Sequence, residues 1–529
     1  MNYEVDQFVN NKNFQMPNLN QYYTYKDEYR KDISKDETLF KIRFLLSKYS
    51  KKTVLGMLSF VGKRMNIENP KTNIPKVQEE LFGHSFEKLF IVHSRAVLVL
   101  YQLFCDVTQF NDSDTSEIIN PDDACVLFLL TNHLLDKCEY KSIKNSDKIV
   151  PIELLMFMMR MSTDLIGPND VRLQANLFIR MYEKCTEHED FLSFDRLLKS
   201  ITGLEISDFI VILKSFVNQE HVDHLALFEK LGNCLVLDFE EVNEVWNSRK
   251  PVINIPFDYR FPEQYPLIKS EGNYFLINFT LLIKSIILKP YHILSASTEE
   301  WPTNFRTFFS KEIAEPVMRD ILRETFLCSE IIEVQTYRKG NEYADFGIVE
   351  GDKIFLFEIK SAYMGLEKRY SQDSEEFKSE FDKRYILNSS GKHQQIGQLI
   401  NIEENFDNFL ELASLERKRY KIFSIIVVFD EVLKGFEINP FDLYVRNIFN
   451  QEISERMSEF TNILPFTSNV MITYNELMFL KESIKDPLKR LQIILNFFTY
   501  DKSNLETLIL SLINGSSIIN GITQEDFLK

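Results

Sequence analysis

The chain has 529 residues, 44% of them hydrophobic, and its 78 Asp and Glu against 61 Lys and Arg leave a net charge of -17. At ~150 residues per domain that length points to about three domains and excludes a lone small binding module. The acidic balance excludes a protein that holds nucleic acid mainly by counterion release, so any polynucleotide site must be local.

The six scattered cysteines form no close pairs, which reads as reduced thiols in a reducing, cytoplasmic setting. The first residues carry neither a basic segment nor an apolar one, and the most apolar later stretch is interrupted by His93, Ser94 and Arg95. The expectation is a protein with no membrane partner.

Residues 1 to about 36 are polar and aperiodic; from Glu37 apolar residues recur at three- and four-residue spacing. Helices are expected at Glu37–Tyr49, Thr53–Met65, Phe86–Phe104, Asp122–Leu135, Ile152–Leu165, Asn169–Glu183 and His221–Leu231, making residues 1–250 an all-helical N-terminal domain. This domain is assigned to sensing, binding a protein partner, or self-assembly. A connecting α/β segment, 251–300, holds a short strand at Val252–Ile255 and a hairpin around Ser270-Glu271-Gly272-Asn273. A third region, 301–435, reads as a helix from about Asn304 to Phe326, strands at Ile331–Tyr337, Ala344–Val349 and Ile354–Ile359, a helix Gln394–Leu412 and a strand Ile422–Phe429. Its order is αβββαβ. Residues 436–529 read as a mostly helical extension with a short strand at Val470–Thr473, so the fold class is α+β and multidomain.

Strand alternation separates Asp345 from Ala344, Phe346 and Ile348, and puts Glu358 and Lys360, two residues apart, on one face of the next strand. Ionisable groups at the exit of a strand as apolar as Ile354-Phe355-Leu356-Phe357-Glu358-Ile359-Lys360 are costly unless each has a partner or a metal. Two carboxylates on adjacent strands make a hard oxygen site for Mg²⁺, and a neighbouring ammonium can orient a water or stabilise charge on a phosphodiester.

Asp345 followed by Glu358-Ile359-Lys360 in this order of elements resembles the PD-(D/E)xK, or restriction-endonuclease-like, nuclease superfamily, over about a quarter of the chain. The resemblance implies that Asp345 and Glu358 bind Mg²⁺ or Mn²⁺ and that Lys360 assists the attacking water. The Pro of the family name is absent, since Tyr343-Ala344 precede Asp345. Glu315 matches the first-helix Glu of many members, with Glu312 as fallback, and Gln394, Gln395 and Gln398 are candidates for a Gln that points into the site, Gln398 fitting the pattern best. The function implied is metal-dependent hydrolysis of nucleic acid, with DNA the favoured substrate and bacterial anti-phage defence as context. The alternative is a non-catalytic scaffold whose helical half binds a partner and whose nuclease-like domain only binds nucleic acid.

Residues 301–430 hold 18 basic and 23 acidic residues, so phosphate contacts must come from local clusters. Lys368-Arg369-Tyr370, Lys383-Arg384-Tyr385 and Arg417-Lys418-Arg419-Tyr420-Lys421 each pair cations with a tyrosine able to stack on a base, and Lys368, Arg369, Lys383 and Arg384 are the candidate nucleic-acid contacts. Each cluster also reads as a solvated helix face. Elsewhere, Cys185 and His188 with His221 and His224 lack zinc-site spacing, Gly56 to Gly62-Lys63 reads as a helix more readily than as a phosphate loop, and the Met156–Met161 cluster reads as core.

Overall fold

Isoleucine, phenylalanine and valine dominate the runs 346–350 and 353–360, and between them Gly351 takes a positive φ of 60°, which a two-residue hairpin loop requires. In the computed structural model these runs are the strands β7 (Phe346–Glu350) and β8 (Lys353–Lys360), paired antiparallel from Phe346↔Phe357 to Glu350↔Lys353. The structure describes residues 24–64, 70–83, 92, 94–136, 152–162, 168–218, 224–248, 259–338, 341–371, 373–388, 390–434, 439–499 and 505–513. The protein is mixed α and β, and its chain divides into two compact units.

One unit comprises the described parts of Gln15–Ser142 and Asp164–Trp301. Its helices include Lys35–Ser47, capped by the Ser34 side chain, Lys51–Arg64, Pro121–Asp136, Pro168–Thr186 and Ile206–Val217. Gly56 and Gly62 lie inside a helix as expected, and Gly62 is there because a Cβ would sit 2.0 Å from the Ile277 carbonyl oxygen. This region is not all-helical: β1 (Val236–Asp238) pairs parallel with β2 (Leu267–Ser270), which forms the expected hairpin with β3 (Asn273–Leu276). The proposed strand Val252–Ile255 lies outside the described residues. Among the described residues, Phe279–Ser297 alone is long and apolar enough to cross a membrane, and two-thirds of it is buried inside the protein.

The other unit contains the described parts of Ile143–Thr163 and Pro302–Lys529. The chain changes unit at 301/302, next to the expected start of the third region at 301, and the helix Ile152–Ser162, expected with the N-terminal helices, belongs here. The sheet runs β10 (Leu464–Pro465), β9 (Lys421–Val428), β8, β7, β4 (Ile332–Val334), with β11 (Val470–Thr473) also paired to β9. β8 and β9 are parallel over eight residues, and β10 and β11 run parallel to β9. Residues 436–529 thus contribute two strands to this sheet and are no appended extension. β5 (Tyr337–Arg338) and β6 (Asn341–Glu342) form a separate small hairpin.

Two expected helices are broken. Asn304–Phe326 is a helical run interrupted by a π turn at Phe309–Ala314, after which Glu315–Phe326 resumes as α-helix. Gln394–Leu412 divides at Asn405, whose amide turns back onto Asn401, into Gln394–Glu404 and Phe406–Ala413. Ile396, Leu399 and Ile402 of the first piece pack in one cluster with Ile354 and Leu356 of β8 and Val349 of β7. On the opposite sheet face Phe357 meets Phe346 and Phe326.

Candidate active site

Strand parity carries the site. Ile354 and Leu356 face the helix Gln394–Glu404, so Glu358, two residues further, points to the same side, where the apolar surface ends. Asp345 lies immediately before β7, and its Oδ2 accepts from the Ile359 N–H at 2.6 Å, next to Glu358. The two carboxylates therefore meet at the exit end of β8, near enough for their charges to interact.

Glu358 is 4% exposed. Its Oε1 accepts from Lys360 Nζ at 3.0 Å and from Gln394 Nε2, and its Oε2 accepts from Gln398 Nε2 at 2.7 Å. Lys360 Nζ also donates to Gln394 Oε1. Gln394 and Gln398 are four apart and therefore lie on one helix face. Gln395 points elsewhere, accepting from Asn469 Nδ2 at 2.6 Å. Of the three glutamines weighed, two meet Glu358 and only Gln394 touches both Glu358 and Lys360. His393, buried at the start of this helix, has its pKa lowered to about 4 by burial and by the Lys360 charge, so it is a neutral imidazole.

Glu315 supplies a third carboxylate. Burial is the main force raising its pKa; the charges of Glu342 and Glu358 add to this, while Arg319 opposes it with Nη2 3.6 Å from Oε2. Glu312, the fallback, is exposed. Asp345 is raised well above the usual carboxylate range by burial first, then by Glu358 and Glu315, against the pull of the Ile359 N–H. Glu315 and Asp345, both buried and both facing the Glu358 charge, hold their protons more tightly than free carboxylates do, so the site is short of positive charge.

That donor set fits a hard dication. Mg²⁺ takes one or two carboxylates and completes its shell with water and phosphate oxygens, so Asp345 and Glu358 suffice, with Glu315 close enough for its charge to be felt. Among the described residues no three His, Cys, Asp or Glu side chains stand as a preformed metal cage. Glu358 keeps lone-pair capacity on Oε2 beyond the bond from Gln398.

The candidate nucleic-acid contacts separate. Arg369 is 2% exposed and paired with the buried Asp430 at 3.3 Å, so it is a core ion pair and not a phosphate contact. Tyr370, Tyr385 and Tyr420, read as stacking rings, are all buried. Lys368 is bound to Glu376 and Arg384 to Glu380; Lys383 is exposed. Only Lys383-Arg384-Tyr385 lies within a helix, Ser374–Tyr385, with Tyr385 on its buried face and Lys383 outside; Tyr370 caps a short helix and Tyr420 leads into β9.

Residues beyond the sequence reading complete the picture. Arg319 donates from Nε to the Asp345 carbonyl at 2.8 Å, and Ser361 donates to Ser310 at 3.1 Å, which in turn reaches Glu315 at 3.5 Å. Only Arg319 left a trace, four residues after Glu315 in the favourable order for a helical ion pair. Compared with known proteins, the chain matches no family model, no curated protein and no solved structure.

Proposed function

We propose that the chain is a metal-dependent nuclease that hydrolyses phosphodiester bonds, with DNA as substrate, and that the unit holding β7, β8 and β9 is an αβββαβ domain of the PD-(D/E)xK type. The observation that carries the reading is the meeting of Asp345, Glu358 and Lys360 at the exit end of the interior strand β8, with Gln394 and Gln398 fixing Glu358 from the adjacent helix. An ordinary strand-end ion pair needs no second carboxylate opposite it and gains nothing from repelling one.

Asp345 and Glu358, with Glu315 beside them, would hold a Mg²⁺ or Mn²⁺ ion, which when bound polarises the phosphate and lowers the pKa of a water. Lys360 is held in place by Glu358 and Gln394, so its ammonium is fixed before substrate arrives and can orient the water or stabilise the phosphorane charge. Gln394 fixes the Glu358 and Lys360 rotamers together. The test is cleavage of circular DNA, linear DNA and RNA with Mg²⁺ or Mn²⁺. The wild type is expected to cut DNA, and Asp345→Ala and Glu358→Ala to be inactive while melting as folded proteins. Cleavage unaffected by both substitutions would remove this site from the chemistry.

A further inference from the structure

The place of Glu315 depends on contacts that do not follow from an ordinary helix. Its N–H bonds the Ser310 carbonyl, five residues back, in the π turn Phe309–Ala314. In an uninterrupted α-helix residues five apart point about 140° away from each other. Here the turn instead brings Ser310 Oγ to within 3.5 Å of Glu315 Oε1, and Ser361, directly after Lys360, donates to Ser310 at 3.1 Å. From the other side Arg319 spans two elements, its Nε 2.8 Å from the Asp345 carbonyl oxygen and its Nη2 3.6 Å from Glu315. Isolated π turns interrupt α-helices rarely and recur at functional sites, because they rotate the residues that follow.

We propose that Arg319 is a positioning residue that ties Glu315 to the segment carrying Asp345, so that the π turn and Arg319 together deliver Glu315 as the third carboxylate of the metal site. This rests on the reading of that site as a metal centre. The rival account is that Arg319 is only a counter-charge, and the two accounts differ in sign. A cation beside carboxylates competes with a bound dication, so removing a mere counter-charge strengthens metal binding. Removing a positioning group weakens it, and losses of about 10-fold or more are usual for groups that orient metal ligands.

The experiment measures Mn²⁺ binding to the full chain by electron paramagnetic resonance and calorimetry for wild type, Asp345→Asn, Arg319→Ala and Arg319→Lys, with thermal melts of each. Arg319→Lys keeps the charge but a single ammonium cannot reproduce the two-sided contact of the guanidinium. The expected result is that both Arg319 variants bind Mn²⁺ about 10-fold more weakly than wild type while melting cooperatively. Tighter binding in Arg319→Ala, or wild-type binding in Arg319→Lys, overturns the positioning role and leaves the metal site standing. Should Arg319→Ala fail to fold, Arg319→Lys alone decides. If wild type binds no Mn²⁺ that Asp345→Asn removes, the underlying reading of the site fails, and this inference with it.

Discussion

Lys360 is 13% exposed and bonded to both Glu358 and Gln394, so the cost of ordering it is met before any substrate binds. Lys360→Ala is expected to lower the single-turnover rate by ~10²-fold or more, the cost of losing one fixed electrostatic stabiliser. Mn²⁺ affinity should change little. Lys360→Arg should not restore the rate, because a planar fork cannot occupy the place of a compact ammonium. A rate and an affinity that fall together would mark Lys360 as a structural partner of Glu358. Asp345 makes the complementary case. Its folded pKa lies above its unfolded value, so between the two the native state binds the extra proton, and metal-free stability falls as pH rises through that window. Asp345→Asn, which keeps an oxygen for the Ile359 N–H, should therefore melt higher than wild type at pH 8 without metal and should show no such gain near pH 3. Equal melts at pH 8 would mean that neither burial nor the neighbouring carboxylates penalise the Asp345 charge.

At the scale of elements, the sequence was legible wherever a local rule had a single outcome. The hairpin of β7 and β8 follows from alternation and a Gly-Asp turn, and Glu358 follows from the parity of β8. The break at Asn405 left no trace, because Ile396, Leu399, Ile402, Phe406, Phe409 and Leu410 keep helical spacing through it. The π turn was equally silent, since apolar spacing records which residues are buried and not which carbonyl each N–H meets. Gln394 could not be chosen over Gln395 until β8 and the helix were side by side. The basic clusters failed for a different reason: a cation beside a tyrosine occurs wherever the chain passes between core and surface, in a helix, a helix cap or the approach to a strand, whether or not it binds anything. If Arg369 belongs to the core, Arg369→Ala should cost about 3–5 kcal/mol, because it leaves the buried Asp430 carboxylate without its partner. Lys383→Ala, on the exposed face of the neighbouring helix Ser374–Tyr385, should stay within about 0.5 kcal/mol. Urea titrations of both variants check this, and a near-neutral Arg369→Ala would return that residue to the list of substrate contacts.

For the molecule as a whole, the helix Ile152–Ser162 was legible as a helix but not as a member of its unit. An apolar face demands burial without naming the core that supplies it, and sequence distance from β7 and β8 suggested the wrong one. The helix packs with Leu366–Arg369, Ser374–Tyr385, Glu431–Lys434 and Pro440–Arg456, all in the unit of the candidate site. Leu154, Leu155, Met156, Met158 and Met159 are buried, and at about 1.5–3 kcal/mol for each such side chain their loss amounts to ~10 kcal/mol. Folded domains hold only about 5–15 kcal/mol in all. A fragment of residues 302–529 is therefore expected to lack a cooperative melt, although it carries every proposed catalytic and metal-binding residue. Co-expression with residues 143–163 should restore the transition and, with it, Mn²⁺ binding that Asp345→Asn abolishes. If 302–529 alone melts cooperatively and binds Mn²⁺ like the full chain, the helix contributes surface and not core, and the chemistry is separable from everything before residue 302.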